Sequence, residues 1–229
     1  MFAPASLARL RGATEDLSWL LGRGYQTKSA LKLVGDRFGL RERQRLAVAR
    51  AACSEEARAR RLASRVEPGG AAGAALAVDG FNLVITIEAA LSGGALVLCR
   101  DGCLRDLSSV HGSYRAVSET ERAVVLAGEA LAALGPSSVL WLLDSPVSNS
   151  GRLAQRVREL AASRGWPWAV EAVFNPDRTI VETGRVAVTS DSNVIDRARA
   201  WLNLSRLVVE QHVPGPWLVD LGAPAEEDV

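Results

Sequence analysis

The chain has 229 residues, 48% of them hydrophobic, enough for one sizeable core plus a small extra module. No apolar run approaches the ~20 residues that span a bilayer, Met1–Gly12 lacks the apolar stretch of a secretory signal, and the three cysteines, an odd number, argue against a disulfide framework. These features disfavour membrane and secreted classes, and a cytoplasmic protein is expected. The net charge of +1 conceals an asymmetry: residues 1–66 carry 14 basic and 6 acidic side chains, about +8, whereas residues 67–229 carry 13 and 20, about −7. A basic region attracts polyanions and an acidic one holds cations.

Residues 12–66 read as helical. Leu17, Leu20 and Leu21 share one face, and Leu31, Val34 and Phe38 share another at the i, i+3, i+7 spacing of an amphipathic helix. Phe38-Gly39-Leu40 reads as a tight turn, and Arg41, Arg43 and Arg45 open the next helix. That pattern fits a helix-turn-helix-like unit or a small helical bundle. Pro68-Gly69-Gly70-Ala71-Ala72-Gly73 is a breaker. The expected organisation is therefore a basic all-α domain over 1–66, a Pro/Gly linker over 67–74 and an α/β domain over 75–229.

From residue 75 onward strands and helices alternate. The pattern predicts strand 75–78, helix 82–91, strand 95–99, a polar segment 100–117, helix 118–134, strand 138–143, helix 150–164, strands 168–174 and 185–189, helix 192–203 and strand 206–210. Such alternation implies βαβ units and a mainly parallel sheet, with the strand-to-helix turns on one edge.

That edge carries the chemistry. Asp79, Asp144 and Asp191 each follow a short apolar run and precede a helix, and ligands of open parallel sheets bind beyond the carboxyl ends of the strands. Three gathered carboxylates repel one another, and a hard divalent cation such as Mg²⁺ or Mn²⁺ relieves that repulsion. Asp196, five residues after Asp191, is a further candidate for the metal or a residue of a helix first turn. Asn82 caps a helix or faces the site. The turns around Ser145, Ser148 and Asn149, and around Ser190, Ser192 and Asn193, supply short polar side chains at helix starts, suited to phosphate or to simple capping. In the segment 100–115, Arg105 and Arg115 are candidates to grip phosphates, Asp101 or Asp106 to add a carboxylate, His111 to act on a leaving group and Tyr114 to stack on a base; the alternative is a solvated loop whose charges pair with one another. Cys99-x3-Cys103 lacks the paired spacing of a structural zinc site, so buried cysteines are expected.

Val78-Asp79-Gly80-Phe81-Asn82, the Asp144-Ser145 turn and Thr189-Ser190-Asp191-Ser192 together resemble the PIN-like nuclease superfamily, close to its NYN branch. The whole chain is also similar to an uncharacterised prokaryotic family that joins a short helical domain to such a domain. The resemblance implies a three-layer α/β/α sandwich, a Mg²⁺ or Mn²⁺ site with Asp79, Asp144 and Asp191 as its carboxylates and Asn82 beside them, and ribonuclease activity. Many relatives of that kind carry an additional acid on a central helix, for which Glu88 or Glu121 is the candidate. The expected partner is RNA or another phosphate-bearing nucleic acid, with homodimerisation left open. The leading expectation is a metal-dependent endoribonuclease. The alternatives are a catalytically silent RNA-binding or adaptor protein, and a phosphohydrolase or phosphotransferase acting on a small nucleotide.

Overall fold

The computed structural model describes residues 1–108 and 114–224. In chain order the helices are α1 (Pro4–Gly22), α2 (Thr27–Arg37), α3 (Glu42–Ala51), α4 (Glu55–Ala63), α5 (Gly80–Leu91), α6 (Thr120–Leu134), α7 (Ser150–Arg164), α8 (Pro176–Thr183), α9 (Ser192–Ile195) and α10 (Leu204–His212). The strands are β1 (Ala75–Asp79), β2 (Leu96–Leu98), β3 (Leu104–Asp106), β4 (Ser138–Asp144), β5 (Trp168–Val173), β6 (Val186–Val188), β7 (Trp201–Leu202) and β8 (Leu218–Asp220). They form two compact units. One comprises Met1–Ala63, Ala95–Leu107 and the chain from Trp217; the other comprises Ser64–Gly94 and the stretch from Ser108 to Pro216.

The first unit is helical but not purely so. Helix α1 packs against α2, α3 and α4. Leu10 and Leu17 of α1, Val34 of α2 and Val48 of α3 share one core with Val97, Cys99, Leu107, Val219 and Leu221. Those last residues belong to or flank a three-stranded sheet in the order β3-β2-β8, with β2 antiparallel to β3 and parallel to β8. The strand expected over 95–99 therefore exists but does not join the main sheet, and the expected 1–66 boundary marks only one of the places where the chain leaves this unit. A three-residue apolar strand carries no signal of which sheet will take it. A cut after residue 66 would strip Val97, Leu107, Val219 and Leu221 of their core partners.

The second unit is α/β. Its five strands run in the order β5-β4-β1-β6-β7, every neighbouring pair parallel. Period-two alternation sorts their side chains between two faces. Leu76 and Val78 of β1 and Val139, Trp141 and Leu143 of β4 join a core with Leu83, Ile87, Val124, Leu131 and Val157 from α5, α6 and α7, to which Val208 of α10 also belongs. Ala77, Leu140 and Leu142 point the opposite way, towards the face crossed by α8, which packs on β1, β4 and β5. By the same alternation Asp79 and Asp144, each two residues beyond one of these, face the α8 side.

Three expectations along this unit fail locally. Helix α8 was not foreseen between the strands near 174 and 185. Helix 192–203 is one short turn, α9, followed by β7. The run expected as strand 206–210 is helix α10: Asn203 accepts the backbone N–H of Arg206 and so caps it, and packing of α10 on α5 and α6 overrides the β-branched pair Val208-Val209.

Candidate functional site

Asp79 ends β1 and caps α5, and Gly80 begins the helix. A Cβ on Gly80 would lie 2.7 Å from Leu143 Cδ2 and 3.0 Å from the Leu142 carbonyl oxygen, so a residue without a side chain is what lets α5 start this close to β4. The Asp79 carboxylate is buried. It accepts the Thr189 hydroxyl at 2.8 Å on Oδ2 and the Asn82 N–H at 3.4 Å on Oδ1. Burial, reinforced by the like charges of Asp177 and Asp191, pushes its carboxyl up to about 7, against the Thr189 and Asn82 hydrogen bonds that favour the ionised form.

The neighbouring turn is tied to this one. Asn82 Oδ1 accepts both the N–H (2.8 Å) and the hydroxyl (3.0 Å) of Ser190. Thr189 Oγ1 accepts the Asp191 N–H at 3.0 Å. Asp191 caps α9, its Oδ1 accepting the N–H groups of Asn193 (2.6 Å) and Val194 (3.4 Å). The Asn82 amide oxygen and the buried Ser190 thus act on each other, holding the two turns in register. Ser192 and Asn193 lie at the start of α9, Asn193 exposed, while Asp196 is its C-cap.

Asp144, half-buried, ends β4, and burial raises its carboxyl above the usual range. Ser145 and Ser148 are exposed in the turn that follows. The Ser145 N–H bonds the Val173 carbonyl at 2.8 Å, joining the ends of β4 and β5. Asn149 takes a left-handed conformation, with φ at 66°, and its Nδ2 donates to the Tyr114 carbonyl at 2.8 Å.

The structure adds an acid that the sequence reading missed. Asp177 sits in the first turn of α8, just past the carboxyl end of β5. Burial raises its carboxyl, Asp191 and Asp144 raise it further, and Arg197 pulls it back. Asp177 therefore feels both Asp191 and Asp144, and Asp79 feels both Asp177 and Asp191. The carboxyl ends of four neighbouring strands, β5, β4, β1 and β6, each contribute one acid to a single edge. The signal was present in Asn175-Pro176-Asp177: Asn175 caps α8 by accepting the Arg178 N–H at 3.0 Å, with proline at the helix start and an acid in its first turn.

Several expected site residues lie elsewhere. Arg105 is buried in the helical unit, with its guanidinium on both oxygens of Asp101 (3.1 and 2.7 Å) and on the Arg50 carbonyl (2.9 Å). Asp106 is buried there too and pairs with Arg50 at 3.5 Å. Arg105 is therefore not placed to grip a phosphate, nor Asp101 or Asp106 to add a carboxylate to the strand edge: the polar segment folds inward because its opposite charges satisfy one another. Tyr114 is buried rather than displayed for stacking, its hydroxyl bonded to Glu88 and its ring edge-on to Phe81 at 5.1 Å. Glu88 also accepts the Thr120 hydroxyl, and exposed Glu121 pairs with Arg156, so neither candidate for the additional acid joins the edge. Arg115 is exposed beside the start of α6. His111 lies outside the described residues. Cys53, Cys99 and Cys103 are buried free thiols, and burial raises the pKa of each.

Among the described residues no three His, Cys, Asp or Glu side chains stand close enough to hold an ion unaided. The donor chemistry still suits a hard cation. The edge is oxygen-only, its central carboxyl is raised by burial and like charge, and Mg²⁺ commonly takes one or two carboxylates, keeping water and substrate phosphates as its other ligands. No described helix is long and apolar enough to cross a membrane.

What the fold and site define is an α/β protein with an acid-lined strand edge. The chain belongs to the family described as Domain of unknown function (DUF5616), whose model matches residues 69–207. Residues 9–63 match the model described as Protein of unknown function (DUF434). The chain is 32% identical over 185 residues to Uncharacterized protein MJ0935 of Methanocaldococcus jannaschii, covering 80% of this chain and 87% of that one. No solved structure matches.

Proposed function

We propose that the protein is a cytoplasmic, metal-dependent endoribonuclease whose centre is the edge formed by Asp79, Asp144, Asp177 and Asp191. The observation that carries this reading is geometric: the carboxyl ends of β5, β4, β1 and β6 each bring one acid to a single edge, with Asp79 buried among them. Asp79, with one or more of its three neighbours, would hold Mg²⁺ or Mn²⁺. When bound, that ion supplies charge neutralisation at a phosphate and a lowered pKa for water. The chain's own part is positional. Thr189 and the Asn82 N–H fix the Asp79 carboxylate, and the Asn82–Ser190 pair sets the neighbouring turn that carries Asp191. Exposed Ser145 and Ser148 line the approach to Asp144 as donors for phosphate oxygens. The +8 of residues 1–66 draws a polyanion towards the protein, and three reduced, buried thiols suit a reducing compartment.

The test is cleavage of mixed single-stranded and structured RNAs with Mn²⁺, comparing wild type with Asp79→Asn. Loss of cleavage in the variant supports the reading. Equal cleavage by both, or none by wild type, sinks it, and metal-independent RNA binding without cleavage favours the silent adaptor.

A further inference from the structure

A cavity of about 400 Å³ opens in the α/β unit between the residues leading into α6 and the start of α7, lined by Tyr114, Arg115, Thr120, Asn149, Arg152 and Arg156. Three arginines converge on it, and their charges are unequally spent. Arg156 is paired with Glu121 and with Glu159 at 3.2 Å. Arg115 and Arg152 have no hydrogen-bonded or ion-paired partner among the described residues. Arg152 is moreover the third residue of α7, a helix with no acid in its first turn and no side-chain cap. A cation there opposes the helix dipole, so its position weakens the helix and concentrates positive potential at the cavity mouth. Asn149, which lines the same cavity, sits at the N-cap in a left-handed conformation, makes no side-chain cap and donates its Nδ2 to the Tyr114 carbonyl. It also ends the turn that follows β4.

We propose that this cavity is a phosphate-binding subsite, in which Arg115 and Arg152 receive a phosphate group of the nucleic-acid strand. Guanidinium forks match phosphate oxygens in paired hydrogen bonds. The inference rests on the nuclease reading only for the identity of the ligand as a strand phosphate, which is either a terminal monoester or an internal diester.

The experiment measures binding of one short single-stranded RNA, 5′-phosphorylated or 5′-hydroxylated, across a salt series with EDTA so that nothing is cut. Arg115→Ala/Arg152→Ala should bind at least about tenfold more weakly than wild type at low salt, with a log–log salt slope flatter by about 1.4, two phosphate contacts on a single strand. The charge-matched control Arg164→Ala/Arg206→Ala, which removes guanidiniums paired with Glu129 and Glu210, should stay within about threefold of wild type. A 5′-phosphate preference that disappears in the double variant assigns the terminal group; equal losses for both RNAs assign an internal phosphate. Arg152→Glu keeps the fold by placing an acid in a helix first turn and should show the same loss. The proposal is overturned if the double variant binds like wild type, if the control pair weakens binding equally, or if wild type binds neither RNA. Intact binding without Mn²⁺-dependent cleavage would remove the nuclease reading and leave the subsite standing.

Discussion

The two units each bury charge, and they do it in opposite ways. In the helical unit Asp101, fully buried, lies between Arg61 at 2.7 Å and the fork of Arg105, both guanidiniums also buried. Burial alone would raise the Asp101 carboxyl, but Arg105 and Arg61 outweigh it and hold it below the ordinary range. In the α/β unit Asp79 is buried with acids for neighbours, and its carboxyl rises to about 7. A compensated cluster is an element of structure. An uncompensated one marks a candidate functional site. Substitutions at the two sites should therefore have opposite signs on stability.

The largest effect is expected on catalysis: Asp79→Asn should lower kcat for Mn²⁺-dependent RNA cleavage by on the order of 10²–10³-fold, and Asp177→Asn by on the order of tenfold or more, read from initial rates. Next comes the helical unit. Asp101→Asn removes the buried anion that bridges the Arg61 and Arg105 guanidiniums and should cost about 3–5 kcal/mol in urea unfolding. The same measurement on Asp79→Asn should move the other way. Because the folded pKa of Asp79 is raised, the folded state binds more protons than the unfolded state between the ordinary carboxylate value and about 7. Wild-type stability should accordingly fall as pH rises through that window and level off above it. Asp79→Asn, lacking the charge, should gain about 4 kcal/mol over wild type at pH 8 in EDTA and almost nothing at pH 4. The smallest effect is set by exposure: Arg178→Ala breaks an exposed pair with Glu182 and should change stability by no more than about 0.5 kcal/mol.

The contrast also explains which parts of the molecule were legible in the sequence. The parallel sheet and its edge acids were, because Asp79 and Asp144 end apolar strands and a strand's end fixes where its next residue lies. Helix α7 was read over its full length, 150–164. The fate of Arg105 and Asp106 was not legible, because a run of mixed charges looks the same whether it faces water or folds onto itself. What decides is Arg61, forty residues away along the chain and paired with the same Asp101. Asp177 escaped for a different reason. Its helix has only eight residues, and without α8 in the reading there was no turn on which to place an acid. The small sheet of the helical unit assembles β2 and β3 with β8, more than a hundred residues further on, a pairing no local pattern encodes.

Calorimetric titration with Mn²⁺ reads directly whether the acidic edge takes a divalent cation. The account predicts saturable binding to wild type that weakens at least about tenfold in both Asp79→Asn and Asp177→Asn, with binding unchanged in Arg178→Ala beside them. Absence of saturable binding to wild type, or equal affinity in wild type and both acid variants, would contradict it.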